Sequence, residues 1–213
     1  MNAIGEYYRR KKKTGRSEIG PRGELVRRMI EDHSLLILDL GCGDGRLAAE
    51  YKKTSNRVWG VEINPEQRTR AAGLLERVLE IDLEGEWSQL EGGVFDLVVM
   101  SAVVEHIFDY RHLFAETARV LKPGGALIVA TPNAASLRSR LELISGRVPA
   151  WYRNFEHIRL WTRSWLRSRL EEHGFQEEYF TGCFVRPARF PNLLSAAFPT
   201  LAPLLVARYR RRG

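Results

Sequence analysis

The sequence predicts an α/β fold with a mostly parallel sheet covered by helices on both faces, and three observations support this. Short apolar runs alternate with amphipathic stretches from Leu35 onward, as strands alternate with helices in such sheets. The first run passes into "DLGCGDG", a turn with glycine at alternate positions, placed where a strand hands over to a helix. Two late apolar runs, "QEEYFTGCF" and "PLLVARY", are separated by an insertion, roughly Pro187 to Pro203, and read as an antiparallel pair at one edge. Five earlier strands plus this pair make seven.

"LLILDL" (Leu35 to Leu40) is a buried strand, and "GRLAAEYKK" is a helix. "RVWGVEI" is the second strand. A helix follows from "NPEQRTRAAGLLE", with Asn64 as N-cap and Pro65 at the first helical position. "RVLEIDL" is the third strand and "FDLVVMSAV" the fourth. "DYRHLFAETARVLKPGG" has apolar residues at helical spacing, closed by Pro-Gly-Gly. "ALIVATP" is the fifth strand. "NAASLRSRLELISG" reads as helical, and "RVPAWYRNFEHIRLW" as a loop dense in aromatic and basic residues. "TRSWLRSRLEEHGF" is a helix capped by Thr162 and stopped by Gly174. In a parallel sheet ligands bind beyond the carboxyl ends of the strands. The residues to weigh are therefore those of "DLGCGDG", "EINP", "DLE", "SAVVEH" and "TPN".

The 213 residues suffice for one domain with a full core. The expected organisation is a basic arm and helix over 1–33, a ligand-binding core over 34–184, and an insertion, last strand and basic tail over 185–213. Cys42 and Cys183 are the only cysteines, which points to reduced thiols in the cytoplasm and not to a disulfide framework. No signal peptide is visible. The formal charge is +7, but Arg9, Arg10, Lys11, Lys12, Lys13, Arg16, Arg208, Arg210, Arg211 and Arg212 hold the excess. Without them 23 basic and 26 acidic residues leave −3. The ends are expected to be solvated tails, with an electrostatic attraction to nucleic acid or anionic membrane as the alternative. "LLSAAFPTLAPLLVA" (Leu193 to Ala207) is too short for a membrane-spanning helix and carries two prolines.

Gly41, Gly43 and Gly45 let the chain turn tightly and let a ligand approach the backbone. Glu62 ends the second strand 21 residues after Gly41, where a carboxylate can accept hydrogen bonds from ribose hydroxyls. These features fit a dinucleotide or S-adenosylmethionine equally. The charges separate the two. Asp39 and Asp44 beside the turn would repel a pyrophosphate and favour an ammonium and a sulfonium. The spacing is G-x-G-x-G, not G-x-G-x-x-G. Asp82 after the third strand is placed to accept from an adenine amino group.

With "DLGCGDG", "VEINP", the Asp82–Leu83 pair, "FDLVVMSAVVEHI" and "ARVLKPGGALIVATPN" in order, the chain resembles class I S-adenosylmethionine-dependent methyltransferases over about Leu35 to Phe184. Within that class "VVEHI" and "TPN" resemble the ubiquinone-biosynthesis O-methyltransferases. "PNAASLRSRLELISGRVP" with "HIRLWT" resembles the methionine-biosynthesis MetW group. The resemblance implies a Rossmann-like, seven-stranded sheet and S-adenosyl-L-methionine as cofactor, with S-adenosyl-L-homocysteine as product. It places Asp39, Gly41, Cys42, Gly43 and Asp44 at the methionine end, Glu62 at the ribose, and Ile63, Asp82 and Leu83 at the adenine. Ser101 and Ala102 would lie under the sulfonium, and Tyr8 would fold over the cofactor.

The expected activity is methyl transfer to a small-molecule acceptor, on oxygen. A hydroxyl acceptor needs a base, and His106 and His157 are the candidates. Glu105 is expected to orient the site, and Trp161 and Trp165 to pack in the core. No metal is expected. One alternative is a cofactor-binding partner protein without turnover, as the MetW resemblance suggests. Another is a nucleic-acid methyltransferase, motivated by the basic ends. "SAVVEH" is not the N/D-P-P-Y/F/W run of exocyclic-amine methylases, so nucleic acid is not the expected partner. "FPNLLSAAFPTLAPLL" beside the arginine tail suggests peripheral membrane contact through the C-terminal segment.

Overall fold

Seven strands form one sheet in the order β3-β2-β1-β4-β5-β7-β6 in the computed structural model, which describes residues 3–10, 20–30, 34–52, 55–184 and 198–213. The strands are β1 (Leu36–Leu40), β2 (Arg57–Val61), β3 (Arg77–Leu79), β4 (Phe95–Ser101), β5 (Leu121–Pro132), β6 (Phe175–Cys183) and β7 (Leu204–Arg211). The helices are α1 (Ala3–Arg10), α2 (Pro21–Arg28), α3 (Arg46–Tyr51), α4 (Pro65–Ala72), α5 (Tyr110–Val120), α6 (Leu137–Ile144) and α7 (Arg163–Glu171). β1 to β5 are parallel, and β7 runs antiparallel to both β5 and β6. The chain winds outward from β1 through β2 to β3, then returns to β4 on the other side of β1. That reversal opens a crevice at the carboxyl ends of β1 and β4.

Side chains of a strand alternate between faces, and the core divides accordingly. Ile37, Leu97, Val99, Ala126 and Ile128 pack on one face with Val26 of α2, Ala48 of α3 and Ala71 of α4. Leu38, Val98, Met100, Leu127 and Val129 pack on the other with Phe114 of α5 and Leu166 of α7. Burial on both faces explains why these strands read as unbroken apolar runs. Trp161 is fully buried; its indole stacks on Trp165 at 4.5 Å and its Nε1–H donates to the Val104 carbonyl at 3.2 Å. Trp161 is the core residue the sequence suggests, whereas Trp165 is exposed and covers Trp161 from the surface instead of packing in the core.

The capping residues act as their sequence suggests. Asn64 accepts from the Gln67 amide at 3.1 Å, Thr162 accepts from the Trp165 amide at 3.3 Å, and Gly174 takes a φ of 82°. Three details differ from the sequence reading. β3 ends at Leu79, so Asp82 and Leu83 lie in the following loop. Its partner β2 stops at Val61, after which Asn64 starts α4 and no strand remains to pair with. α5 ends at Val120, before Pro123. Leu121 is already extended and pairs with Phe95, and the next pair is Leu97 with Ala126. Pro-Gly-Gly thus occupies a bulge inside β5 and does not terminate the helix.

The third difference concerns the C-terminal arginines. Composition suggests a solvated tail, but Arg208, Arg210 and Arg211 belong to β7. Glu178 accepts from Arg208 at 3.2 Å and from Arg210 at 2.6 Å, while Arg211 donates to the Leu121 carbonyl. Arg208 also donates to the Met29 carbonyl at 2.7 Å, tying β7 to the end of α2. At the other end Arg9 pairs with Glu80. Lys11, Lys12, Lys13, Arg16, His33 and the first half of the proposed membrane-contact segment, 190–197, lie outside the described residues. Among the described residues no helix is long and apolar enough to cross a membrane.

Candidate active site

The turn after β1 is shaped by three left-handed glycines, with φ of 67° at Gly41, 59° at Gly43 and 79° at Gly45. A Cβ on Gly41 would lie 2.8 Å from Val103 Cγ2, so this glycine lets the turn pass against the loop that follows β4. A Cβ on Gly45 would lie 2.9 Å from the Ala71 Cα, so Gly45 serves the packing of α3 on α4. Glu62 braces the turn. Its Oε2 accepts from the Gly43 amide at 2.9 Å and its Oε1 from the Asn64 amide at 2.8 Å. Each carboxylate oxygen has a second lone pair with which to accept from a ligand hydroxyl.

Above the turn is a cavity of about 390 Å³. Asp39, Gly41, Cys42, Gly43, Glu62 and Ile63 form one part of its wall. Asp82, Leu83, Ser101, Ala102, Tyr8 and His106 form another. The structure therefore brings twelve of the fourteen sequence-selected site residues together. Asp44 is not in the wall; its carboxylate turns to Arg46, whose Nε donates to it at 2.7 Å. His157 stands behind the wall, its ring 5.2 Å from that of His106.

Asp39 is 3% exposed, and burial pushes its carboxyl up to about 8, helped by the neighbouring Glu62 charge and opposed by Arg22. Ala102 holds a φ of 60°, a left-handed conformation unusual for a residue with a Cβ. Its amide donates to the Ala130 carbonyl at 2.8 Å. The Ser101 hydroxyl beside it is buried with no hydrogen-bond partner among the described residues.

α1 and the loop before α7 roof the cavity. Asn64 Nδ2 donates to the Tyr8 and Arg9 carbonyls at 3.1 and 3.2 Å, which fixes the end of α1 over the β2–α4 turn. Tyr7 donates to Glu156 Oε1 at 2.6 Å, and the Tyr8 ring meets His106 edge-on at 5.6 Å. His106 Nδ1 lies 2.8 Å from the Glu156 carbonyl oxygen. A carbonyl only accepts, so Nδ1 carries the proton and Nε2 is the basic nitrogen of the neutral ring. His157 Nδ1 stands in the same relation to the Trp151 carbonyl, at 3.1 Å.

Sequence reasoning does not select Arg22, Glu84 or Glu156, all of which line the cavity. Arg22 comes from the first turn of α2 and Glu156 from a loop without periodic pattern, so no strand-end rule points to either. Glu84 follows Asp82 closely and is within reach of that rule. Its carboxylate accepts from the Phe108 amide, joining the loops after β3 and β4.

A glycine turn at the switch point of a parallel sheet, with a carboxylate after each of the first three strands, defines a nucleoside-binding α/β protein. A family model described as a methyltransferase domain matches residues 6–178. A ubiquinone biosynthesis O-methyltransferase from Sinorhizobium fredii is 30% identical over 160 residues, covering 72% of this chain and 64% of that one. An uncharacterized methyltransferase from Mycobacterium tuberculosis is 34% identical over 121 residues, covering 55% of this chain and 60% of that one. The chain thus spans less than two thirds of these curated relatives. Among solved structures, an S-adenosylmethionine-dependent methyltransferase from Mesorhizobium loti superposes with a TM-score of 0.66 at 19% identity, over 89% of this chain and 98% of that one. The chain belongs to the methyltransferase-domain family and has the class I, Rossmann-like fold. The cofactor of this family is S-adenosylmethionine, and S-adenosylhomocysteine its product.

The residues present fit that cofactor. Gly41 leaves the space that a Cβ would close, Glu62 keeps acceptor capacity for a ribose, and the buried Ser101 hydroxyl is available to a ligand. Among the described residues, carboxylates of Asp39, Glu62, Asp82, Glu84 and Glu156 line the cavity against the guanidinium of Arg22. That balance suits a ligand with cationic centres and a single carboxylate.

Proposed function

We propose that this protein transfers a methyl group from S-adenosylmethionine to a hydroxyl oxygen of a small-molecule acceptor, with the whole chain working as one domain. The observation that carries the reading is the acid-lined cavity over the glycine turn, whose far wall presents His106. When bound, the cofactor supplies an electrophilic methyl on a sulfonium. Asp39 and the turn from Gly41 to Gly43 would hold its amino-acid end, and Arg22 would meet its carboxylate. Glu62 would take the ribose, and Ile63, Asp82 and Leu83 the adenine. Tyr8 closes the cavity from above and excludes water.

On the acceptor side, His106 is held by the Glu156 carbonyl with Nε2 as its basic nitrogen. That nitrogen would draw the proton from a hydroxyl as the oxygen attacks. The ubiquinone-biosynthesis relatives supply the preference for oxygen. Cys42 and Cys183 form no disulfide, which supports a cytoplasmic setting.

The test has two parts. S-adenosylhomocysteine should raise the melting temperature, by an amount that grows with ligand concentration. Glu62→Gln, which keeps the side-chain volume but loses one acceptor oxygen, should reduce that shift. A screen with methyl-labelled cofactor against extract fractions should then label a small molecule at oxygen. An absent thermal shift in the wild type, or label found only on nucleic acid, would sink the reading.

A further inference from the structure

A second recess lies next to Trp161, and its charge is opposite in sign to that of the cofactor cavity. It has a volume of about 490 Å³ and is bounded by α6, α7, the segment after β5 and the start of β7. Its wall and that of the cofactor cavity share no described residue. Among the described residues, guanidinium groups of Arg140, Arg163 and Arg167 line it against the carboxylate of Glu171. We propose that this recess binds a phosphate group, free or as the monoester of a small molecule, independently of the cofactor.

Local structure builds the recess. Asn133, the last residue of the "TPN" run, donates through Nδ2 to the Thr200 and Ala202 carbonyls, each at 2.8 Å. These bonds tie the 3-10 turn Pro199–Leu201 to the end of β5. The Ala134 amide donates to the Trp161 carbonyl at 2.9 Å, which sets the start of α7 beside the same segment. Arg163 and Arg167, and likewise Ser164 and Ser168, stand four residues apart on α7, so one helix face presents all four to the recess.

Each arginine is held in place without using all its donors. Arg140 Nε donates to the Ala135 carbonyl at 2.8 Å, and its guanidinium meets no carboxylate among the described residues. Arg167 gives Nε to Glu171 at 2.7 Å, and Arg163 gives Nη2 and Nε to Glu177 at 2.6 and 3.4 Å. A guanidinium has about five N–H groups, so each of the three keeps donors for a ligand. The Ser168 hydroxyl accepts from Arg169 at 3.3 Å, which leaves its own proton to donate. Tyr209 lies on the face of β7 that Leu205 presents to the recess. Its ring is fully buried, and its hydroxyl has no hydrogen-bond partner among the described residues. Burial and the nearby Glu177 charge push its pKa up, against Arg163 and Arg167, so it stays protonated as a donor.

Phosphate suits this donor set better than a carboxylate does. A carboxylate has two oxygens in one plane, and a single guanidinium fork satisfies both. A phosphate monoester has three acceptor oxygens and close to two negative charges near neutral pH, which calls for cations from several directions. Here they come from two helices, α6 and α7. A nucleic-acid backbone is met by cations strung along a surface, whereas these converge on one recess. S-adenosylmethionine carries no phosphate, so the site does not rest on the methyl-transfer reading.

The full-length chain, in phosphate-free buffer at constant ionic strength, is titrated by calorimetry with inorganic phosphate and with glycerol 3-phosphate. Acetate and a single-stranded RNA oligonucleotide serve as comparisons. Saturable phosphate binding is expected, with acetate at least about tenfold weaker. Tighter binding of the monoester identifies a phosphorylated small molecule as the ligand, and binding no tighter than inorganic phosphate identifies the free ion. Arg140→Gln should weaken phosphate binding by about tenfold or more, and Tyr209→Phe by about threefold. Arg138→Gln, on the same helix as Arg140 but outside the recess, should bind as the wild type does. S-adenosylhomocysteine binding, measured on the same samples, should be unchanged in each variant and shows that it is folded. No saturable phosphate binding, equal affinity for acetate, binding of RNA alone, or an affinity unchanged in Arg140→Gln overturns the site. Each of these results can occur while S-adenosylhomocysteine still binds, so failure of this site and failure of the methyl-transfer reading are told apart.

Discussion

Replacing Asp39 by Asn should make the ligand-free protein more stable, and the gain should grow with pH. The Asp39 carboxyl is fully enclosed, and its pKa is pushed from 3.8 up to about 8, first by burial and then by Glu62, with Arg22 opposing. A carboxyl whose folded pKa lies above its unfolded value holds its proton more tightly in the folded state. Stability therefore falls as pH rises from about 4 to about 8 and is level beyond. Within that window each step of one in pH costs about 1.4 kcal/mol, so between pH 5 and pH 7 the cost grows by at most about 3 kcal/mol. Asparagine has no proton to lose. The stability of Asp39→Asn minus that of wild type, from urea denaturation at each pH, should rise across this range by up to that amount. Other groups act oppositely, such as Glu24, held down to about 2 by Arg27 and Arg28, but they are common to both proteins and cancel in the difference. Binding of a cationic ligand should ionise Asp39, so near pH 7 wild type should release close to one proton per ligand and Asp39→Asn none. Calorimetry in buffers of different ionisation enthalpy reads this directly. A stability difference that does not change with pH, or equal proton release in both proteins, would refute the reasoning.

Three further substitutions separate the parts of the site. Gly41→Ala forces a Cβ to within 2.8 Å of Val103 Cγ2 at a φ of 67°, and should cost about 1–3 kcal/mol in denaturation together with cofactor affinity. Asn64→Ala removes an N-cap worth about 1 kcal/mol and also the two bonds that hold the end of α1. Thermal unfolding should shift down by roughly 2–4 °C per kcal/mol, and amide exchange within 3–10 should quicken. Unchanged exchange there would show that α1 is held by other contacts. Arg22→Gln takes the one guanidinium that the described residues supply to the cavity wall and should weaken cofactor binding about tenfold, one charged hydrogen bond being worth about 1.5 kcal/mol or more. Equal affinity in a binding assay would remove Arg22 from the cofactor's carboxylate.

Legibility in the sequence follows the range of the interaction. β1, β2 and β4, the caps at Asn64 and Thr162 and the glycine turn depend on neighbours within a few residues, and each is readable. The order β5-β7-β6 is not, because "QEEYFTGCF" and "PLLVARY" read alike and only their packing decides which is outermost. Position in the turn selects Asp44, but Arg46, two residues on, takes its charge. The same acid-beside-glycine rule selects Asp39, where no local cation competes. Composition makes a tail of the arginines of β7. Strand pairing brings Arg208 and Arg210 to Glu178, which sits at a register shift of β6 some thirty residues away and which no charge count reveals.

The same distinction divides the proposed active site into two halves, one for the cofactor and one for the acceptor. The cofactor half is assembled mainly at the strand ends of one sheet, with Arg22 of α2 as the exception, so the sheet fixes most of its spacing. The acceptor half is assembled by α1, the 3-10 turn after β4 and the loop before α7, joined through Tyr7 to Glu156 and Glu156 to His106. These segments meet only in the folded chain, and the contact that sets the His106 ring uses a backbone carbonyl, which leaves no mark in the sequence. The parts common to a family are then those that the sheet dictates, and the parts that choose an acceptor are those that the sheet leaves free. Changes in Tyr8, Glu156 or His157 should therefore alter which acceptor is methylated more than they alter cofactor binding, whereas changes in Asp39 or Glu62 should act through the cofactor for every acceptor.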